Sequence, residues 1–140
     1  MNVREVMSTN VDVCQVNDNV ADVAKKMKEL NVGSIPVVDN NKLVGTITDR
    51  DIVIRYVAED SPSSQAGDIM SSELVTASPE MDVKEVAQLM EEHKIRRLPV
   101  KENDDIVGII TLGDIAVDEH TKEQAKAALD DIMQGSKRDQ

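Results

Sequence analysis

Aromatic side chains are almost missing: the 140 residues include one tyrosine and no phenylalanine or tryptophan. This excludes a base-stacking platform of the kind single-strand nucleic-acid binders use. The core must be aliphatic, and 19 valines, 11 isoleucines and 7 leucines can supply it. The single cysteine, Cys14, excludes an internal disulfide and any zinc site built from several cysteines. In its valine-rich surroundings it reads as a buried, inert thiol. No apolar run approaches the ~18 residues that cross a bilayer. The opening MNVREVMSTN has no hydrophobic leader core, so the expected location is the cytoplasm. Positive charge is in deficit: 16 Lys and Arg against 27 Asp and Glu give a net charge of −11 and a pI near 4.5. Such a surface repels nucleic-acid phosphates, and a phosphate-bearing ligand would need a local positive site. Neither nucleic acid nor membrane is an expected partner.

Catalytic and metal-binding patterns are equally scarce. His93 and His120 have no companions at metal-ligand spacing, and there is no phosphate-binding Gly-rich loop, G-x-G-x-x-G or serine nucleophile elbow. The chain reads as a non-enzyme with no catalytic residues, no metal and no required cofactor.

What is present is a repeat. Sliding the sequence by 63 residues aligns 3–52 with 66–115 without a gap, with 16 identities in 50 positions. VREVMS meets AGDIMS, NVADVAKKM meets DVKEVAQLM, and SIPVVDNNKLVGTITDRDI meets RLPVKENDDIVGIITLGDI. Neither half of ~50 residues buries a sufficient core alone, so the two should pack together with pseudo-two-fold symmetry.

Each copy predicts β-α-β-β-α, an α/β (α+β) fold. A short strand (Val11–Val13, Leu74–Ala77) precedes a helix with apolar residues at Val20, Val23, Ala24, Met27 and Leu30, or at Val83, Val86, Ala87 and Met90. Asp82 and Glu85 have capping-box spacing at the start of the second of these helices. Strands Ile35–Val38 and Leu43–Thr48 flank a polar turn, as do Leu98–Lys101 and Ile106–Thr111. Another helix opens at Asp49 or Leu112. The expected organisation is repeat one at 1–58, a Ser- and Pro-containing linker at 59–65, repeat two at 66–118 and a helical tail at 119–140. In the tail, Thr121 and Gln124 form a capping box, Ala125, Ala128, Leu129, Ile132 and Met133 form a stripe, and Gly135 is a stop.

The chemistry concentrates at the strand-to-helix junction, which reads Gly45-Thr46-Ile47-Thr48-Asp49-Arg50-Asp51 and Gly108-Ile109-Ile110-Thr111-Leu112-Gly113-Asp114. The shared G-x-[IV]-T-x-x-D has two readings. Thr-x-x-Asp can be a helix cap, with the acid reaching back to the cap N–H. It can also hold a ligand: exposed N–H groups and the hydroxyl suit a phosphate, and the carboxylate suits two ribose hydroxyls. Asp in place of the usual cap residues Glu or Gln favours the ligand, as does a Gly that would let it approach the strand. Asp51 and Asp114 turned onto their own helix ends, with no hollow next to either, would rule out the ligand reading.

These residues, together with the doubled unit, Met7-Ser8 and Met70-Ser71, Ile-Pro-Val and Leu-Pro-Val, resemble the CBS domain family, and the chain is similar to one tandem CBS pair (a Bateman module) over about residues 1–117. The resemblance implies a stand-alone regulatory module with two clefts between the repeats. Family ligands there contain adenosine: AMP, ADP, ATP, S-adenosylmethionine or NAD. Carried over by motif, Asp51 and Asp114 would hold the ribose, and Thr48 and Thr111 would help with phosphates. Ile35-Pro36 and Leu98-Pro99 would frame the adenine, and Val11–Val13 and Leu74–Thr76 would close the slot. It also implies a homodimer and a separate effector protein.

The copies differ at these positions. Arg96-Arg97 precede Leu-Pro-Val where copy one has Gly33-Ser34, and Thr76 stands where copy one has Val13. Residues 66–115 hold 5 basic and 11 acidic residues, so the arginine pair is a positive island, although exposed arginines often make only weak ion pairs. Arg50 lies inside the first junction, where the second has Gly113. The Asp114 site is therefore expected to be the better phosphate site. A ligand-free dimerisation or scaffold module is the rival reading.

Overall fold

The structure is a computed structural model that describes residues 1–60, 64–116 and 129–133. It mixes helix and sheet, as the sequence predicts. The chain divides into two compact units, and these cut across the repeats. One comprises Met1–Val11 with Val75–Asp139, the other Asp12–Leu74. Each unit therefore combines the body of one repeat with the opening segment of the other.

In the Asp12–Leu74 unit, β1 (Cys14–Gln15) pairs in parallel with β2 (Ser34–Asp39), which pairs antiparallel with β3 (Lys42–Thr48). The first strand thus begins at Cys14, beyond the expected Val11–Val13. Its outer edge is closed by side chains: Lys26 Nζ donates to Val13 O at 2.6 Å, and Gln15 N–H donates to Asp18 Oδ2 at 2.8 Å. Helix α2 (Val20–Leu30) starts where Asn19 accepts from the Ala21 N–H at 2.8 Å, and it ends at Asn31 in the left-handed region, φ 55°. Its buried stripe is Val20, Val23 and Met27; Leu30 is exposed, because the helix turns its last residue off the core. The two-residue turn Asn40–Asn41 has positive φ at both positions, 51° and 66°. Asparagine tolerates that geometry, and it matches the twist of a hairpin. Beyond β3, helix α3 (Asp49–Asp51) runs on into wider turns at Ile52–Val57, where Ala58 N–H bonds Val53 O at 2.9 Å. Helix α4 (Ala66–Ile69) returns to the same core, with Ala66 N–H on Asp18 O and Gly67 N–H on Val16 O, both at 2.8 Å.

The other unit repeats the plan. Helix α1 (Val3–Val6) docks where α4 docks in the first, beside helix α5 (Val83–His93) and the hairpin of β4 (Arg97–Glu102) and β5 (Asp105–Thr111), and helix α6 (Leu112–Ala116) follows. The expected strand Leu74–Ala77 reduces to one parallel bridge, Ala77 with Val100. Asp82 caps α5 through the Lys84 N–H at 2.8 Å, so the expected box with Glu85 is not what forms. Val83, Val86, Ala87, Met90, Leu98 and Ile110 build the core with Val3. Residues 129–133 are helical. Ile132 is buried while Leu129 and Met133 are exposed, and Asp131 forms an ion pair with Lys94. The stripe expected there is therefore only partly buried. Thr121, Gln124, Ala125, Ala128, Gly135 and His120 lie outside the described residues.

Candidate functional site

Both Thr-x-x-Asp junctions close on themselves. Thr48 N–H donates to Asp51 Oδ2 at 2.9 Å, and Asp51 N–H donates to Thr48 Oγ1 at 3.0 Å. Thr111 and Asp114 do the same at 2.9 and 3.1 Å. The capping reading therefore holds at both ends. Asp is no obstacle to it: Asp68 likewise reaches back to the Gln65 N–H, at 2.9 Å. Its shorter side chain is thus not a sign of a ligand.

The glycine argument is corrected as well. A β-carbon at Gly45 would stand 2.5 Å from Met70 Sδ and 2.8 Å from Ser71 O; one at Gly108 would stand 2.7 Å from Met7 Sδ and 2.9 Å from Ser8 O. What approaches the strand is the chain's own Met-Ser segment. Two backbone hydrogen bonds hold it there, between Ser71 and Thr46 at 2.9 and 3.0 Å, and between Ser8 and Ile109 at 2.8 and 2.9 Å. The sequence shows Met-Ser twice but gives no sign of which strand each copy grips, because those partners are far away along the chain.

The capping boxes still leave chemistry unused. A hydroxyl that accepts from a backbone N–H keeps its own hydrogen to donate, and a carboxylate engaged through one oxygen keeps the other as an acceptor. Each junction thus offers a half-buried Thr O–H and a half-buried Asp Oδ1, and the box fixes the rotamer of both. The helix-start N–H groups differ between copies. In α3 all three are taken: Asp49 N–H by Gly33 O at 2.9 Å, Arg50 N–H by Asp49 Oδ1 at 2.8 Å, and Asp51 N–H by Thr48. Exposed donors were expected here, and repeat one has none. In α6, Leu112 N–H bonds Arg96 O at 2.8 Å and Asp114 N–H bonds Thr111, whereas Gly113 N–H has no partner among the described residues. A β-carbon on Gly113 would meet only Thr111 Oγ1, at 3.6 Å.

The remaining candidates sort by register. Ser34 lies opposite Thr48, and Arg97 lies opposite Thr111. Directly opposed residues share a sheet face, so the half-buried Arg97 flanks the second junction where serine flanks the first. Its side chain makes no ion pair among the described residues. Arg96 is half-buried, and its carbonyl fixes Leu112. Arg50 is exposed. Ile35 and Leu98 are 1% and 0% exposed and belong to the two cores, so a ligand could meet them only through backbone. Pro36 and Pro99 are buried in their strands, and Val13 and Thr76 are half-buried. Burial pushes the Cys14 thiol up to about 11, with Asp18 adding to the shift, which suits an inert group. No cluster of three metal-ligating side chains occurs among the described residues, and no helix there is long and apolar enough to cross a membrane.

Known proteins are similar to this chain in sequence and fold. The pattern of the family described as CBS domain matches residues 3–58 and 66–117. The uncharacterized protein YlbB of Bacillus subtilis is 43% identical over 99% of this chain and 95% of its own length. Among solved structures, the CBS domain pair of protein MJ0100, in complex with 5'-methylthioadenosine and S-adenosyl-L-methionine, superposes with a TM-score of 0.71 at 29% identity, covering 84% of this chain and 94% of that one. CBSX2 in complex with AMP gives 0.73 at 25% identity, over 89% and 98%. With both repeats matched and the same mixed fold, this chain belongs to the CBS domain family as a tandem pair of CBS domains.

Proposed function

We propose that the chain is a regulatory module that binds an adenosine-containing ligand at its two Thr-x-x-Asp junctions and signals through conformation or assembly. The observation that carries this reading is the unused half of each capping box: a Thr hydroxyl hydrogen and a carboxylate Oδ1, both half-buried and rotamer-fixed, in the chemical pattern that grips a phosphate and a ribose. Relatives of the same fold bind AMP or S-adenosyl-L-methionine. Arg97 beside Thr111 and the open backbone at Gly113 make the second junction the phosphate site. At the first, the helix-start donors are already taken. Regulation requires that the ligand prefer one arrangement of the chain over another, since equal affinity for both transmits nothing. In this reading the module works in the cytoplasm, as a homodimer, through a separate effector protein.

A second reading has its own support. The boxes are complete without a ligand, as they would be in a scaffold whose junctions are caps only. Thermal unfolding and calorimetry with AMP, ADP, ATP, S-adenosylmethionine and NAD separate the two. Binding adds RT ln(1 + [L]/Kd) to the unfolding free energy, about 2.7 kcal/mol at a hundred times Kd, and so raises the melting temperature. Asp114→Asn keeps an oxygen for the Thr111 N–H, so it should hold the apo melting temperature while removing the part of the response that the second junction supplies. No response to any of the five at millimolar concentration would leave the scaffold reading standing.

A further inference from the structure

The first eleven residues belong to a different compact unit from the residues that follow them. Val3 is fully buried in that unit's core, and its N–H bonds Met81 O at 2.9 Å. Arg4 N–H bonds Pro79 O at 2.9 Å, and Val83 N–H bonds Met1 O at 3.1 Å. Ser8 exchanges both backbone bonds with Ile109. Arg4 pairs with Glu80 and Glu102 at 2.9 and 3.1 Å. Each of these hydrogen-bond and ion-pair partners outside the segment lies at Pro79 or beyond, and residues 9–13, which lead on to β1, have no regular structure. The matching segment at Met70–Ser71 docks within the continuous stretch Asp12–Leu74.

We infer that Met1–Val11 is an exchangeable clasp, which docks on residues 75–116 of a second copy as well as on its own. The contacts are the same in cis and in trans, so the choice is set by effective concentration and by the reach of the hinge at 9–13. The partner is a second copy of this chain. In the exchanged dimer, Ser8 of one copy grips the strand that ends in the other copy's Thr111. The exchange holds whether or not the junctions bind a ligand.

The test uses the full chain in a Cys14→Ala background. Ser8 and Ile109 exchange both N–H···O bonds, which places their α-carbons ~5.5 Å apart, within disulfide reach. One chain carries Ser8→Cys; a second, size-tagged chain carries Ile109→Cys. They are unfolded, mixed, refolded together and oxidised, with a Lys28→Cys and Ile109→Cys mixture as the background control. The expected product is a disulfide-linked heterodimer well above that control, with a dimer-to-monomer ratio that rises about tenfold for each tenfold rise in monomer concentration. A heterodimer at or below the control overturns the inference. The cysteine-free chain gives an independent reading: deleting Asn10 and Val11 shortens the hinge and disfavours docking in cis. Light scattering after refolding should then show a several-fold larger dimer fraction, and an unchanged or smaller fraction also overturns it.

Discussion

Met70 fills the space beside Gly45 where any other residue would carry its β-carbon, with Sδ 2.5 Å from that position. The neighbouring Ser71 carbonyl is 2.8 Å from it and is tied to Thr46 by two backbone bonds, so it cannot give way. Gly45→Ala should therefore destabilise the fold by about 1–3 kcal/mol, as overpacking does, and Gly108→Ala should do so against Met7 and Ser8. Urea unfolding measures this. Because part of the clash is with a flexible thioether, Met70→Ala in the Gly45→Ala background should cost less than Met70→Ala alone, a coupling that a double-mutant cycle reads directly. Additive costs would mean that the segment does not press on that strand.

Thr48→Ala and Thr111→Ala each remove a side-chain cap. The expected loss is about 1 kcal/mol of apo stability for each, within the range for helix N-caps. Serine restores the oxygen and should recover most of it. Full stability in Thr48→Ala would mean that the box is not formed in solution.

The fold was legible because its signals are local and occur twice. The 63-residue offset, the asparagine turn at Asn40–Asn41 and the stripe Val20, Val23 and Met27 all appear in the structure. The assignment of segments to units was not legible, since it rests on pairings such as Ser8 with Ile109 and Ser71 with Thr46. Nothing local distinguishes these from a repeat that folds on itself. At the junction the sequence showed the Thr-x-x-Asp spacing that closes the cap and misread two causes: Gly45 makes room for Met70, and Asp51 is long enough to close its cap. Lys26 carried no signal, because leucine holds its place in the second copy and its target is a carbonyl, Val13 O.

Cys14 gives the chain an alkaline limit. Burial raises its thiol to about 11 from an ordinary value of 9.0. The unfolded chain therefore releases the proton first, and the protonated thiol stabilises the fold fully below pH 9. That contribution disappears as the pH climbs from 9 to 11. Relative to Cys14→Ala, the native chain should lose up to about 2–3 kcal/mol of stability across that window. Denaturant titrations at pH 8 and pH 11 measure the difference. A thiol-specific reagent at pH 8 should label Cys14 only after unfolding. Fast labelling of the folded chain would place the thiol at the surface.

Arg97 sets the two junctions apart, because it stands across from Thr111 where Ser34 stands across from Thr48. If it serves a phosphate, Arg97→Ser should weaken AMP or ATP about tenfold or more at the second junction, the loss of one charge-assisted contact. Adenosine and S-adenosylmethionine, which have no phosphate, should bind as before. The apo melting temperature should change little, since Arg97 has no ion pair to lose among the described residues. The reciprocal change, Ser34→Arg, adds the cation to the first junction but not the open backbone of Gly113, so it should strengthen nucleotide binding there by less than Arg97→Ser weakens it. Calorimetry with AMP and adenosine side by side reads both changes. An equal loss for the two ligands would show that Arg97 shapes the junction and does not hold the phosphate.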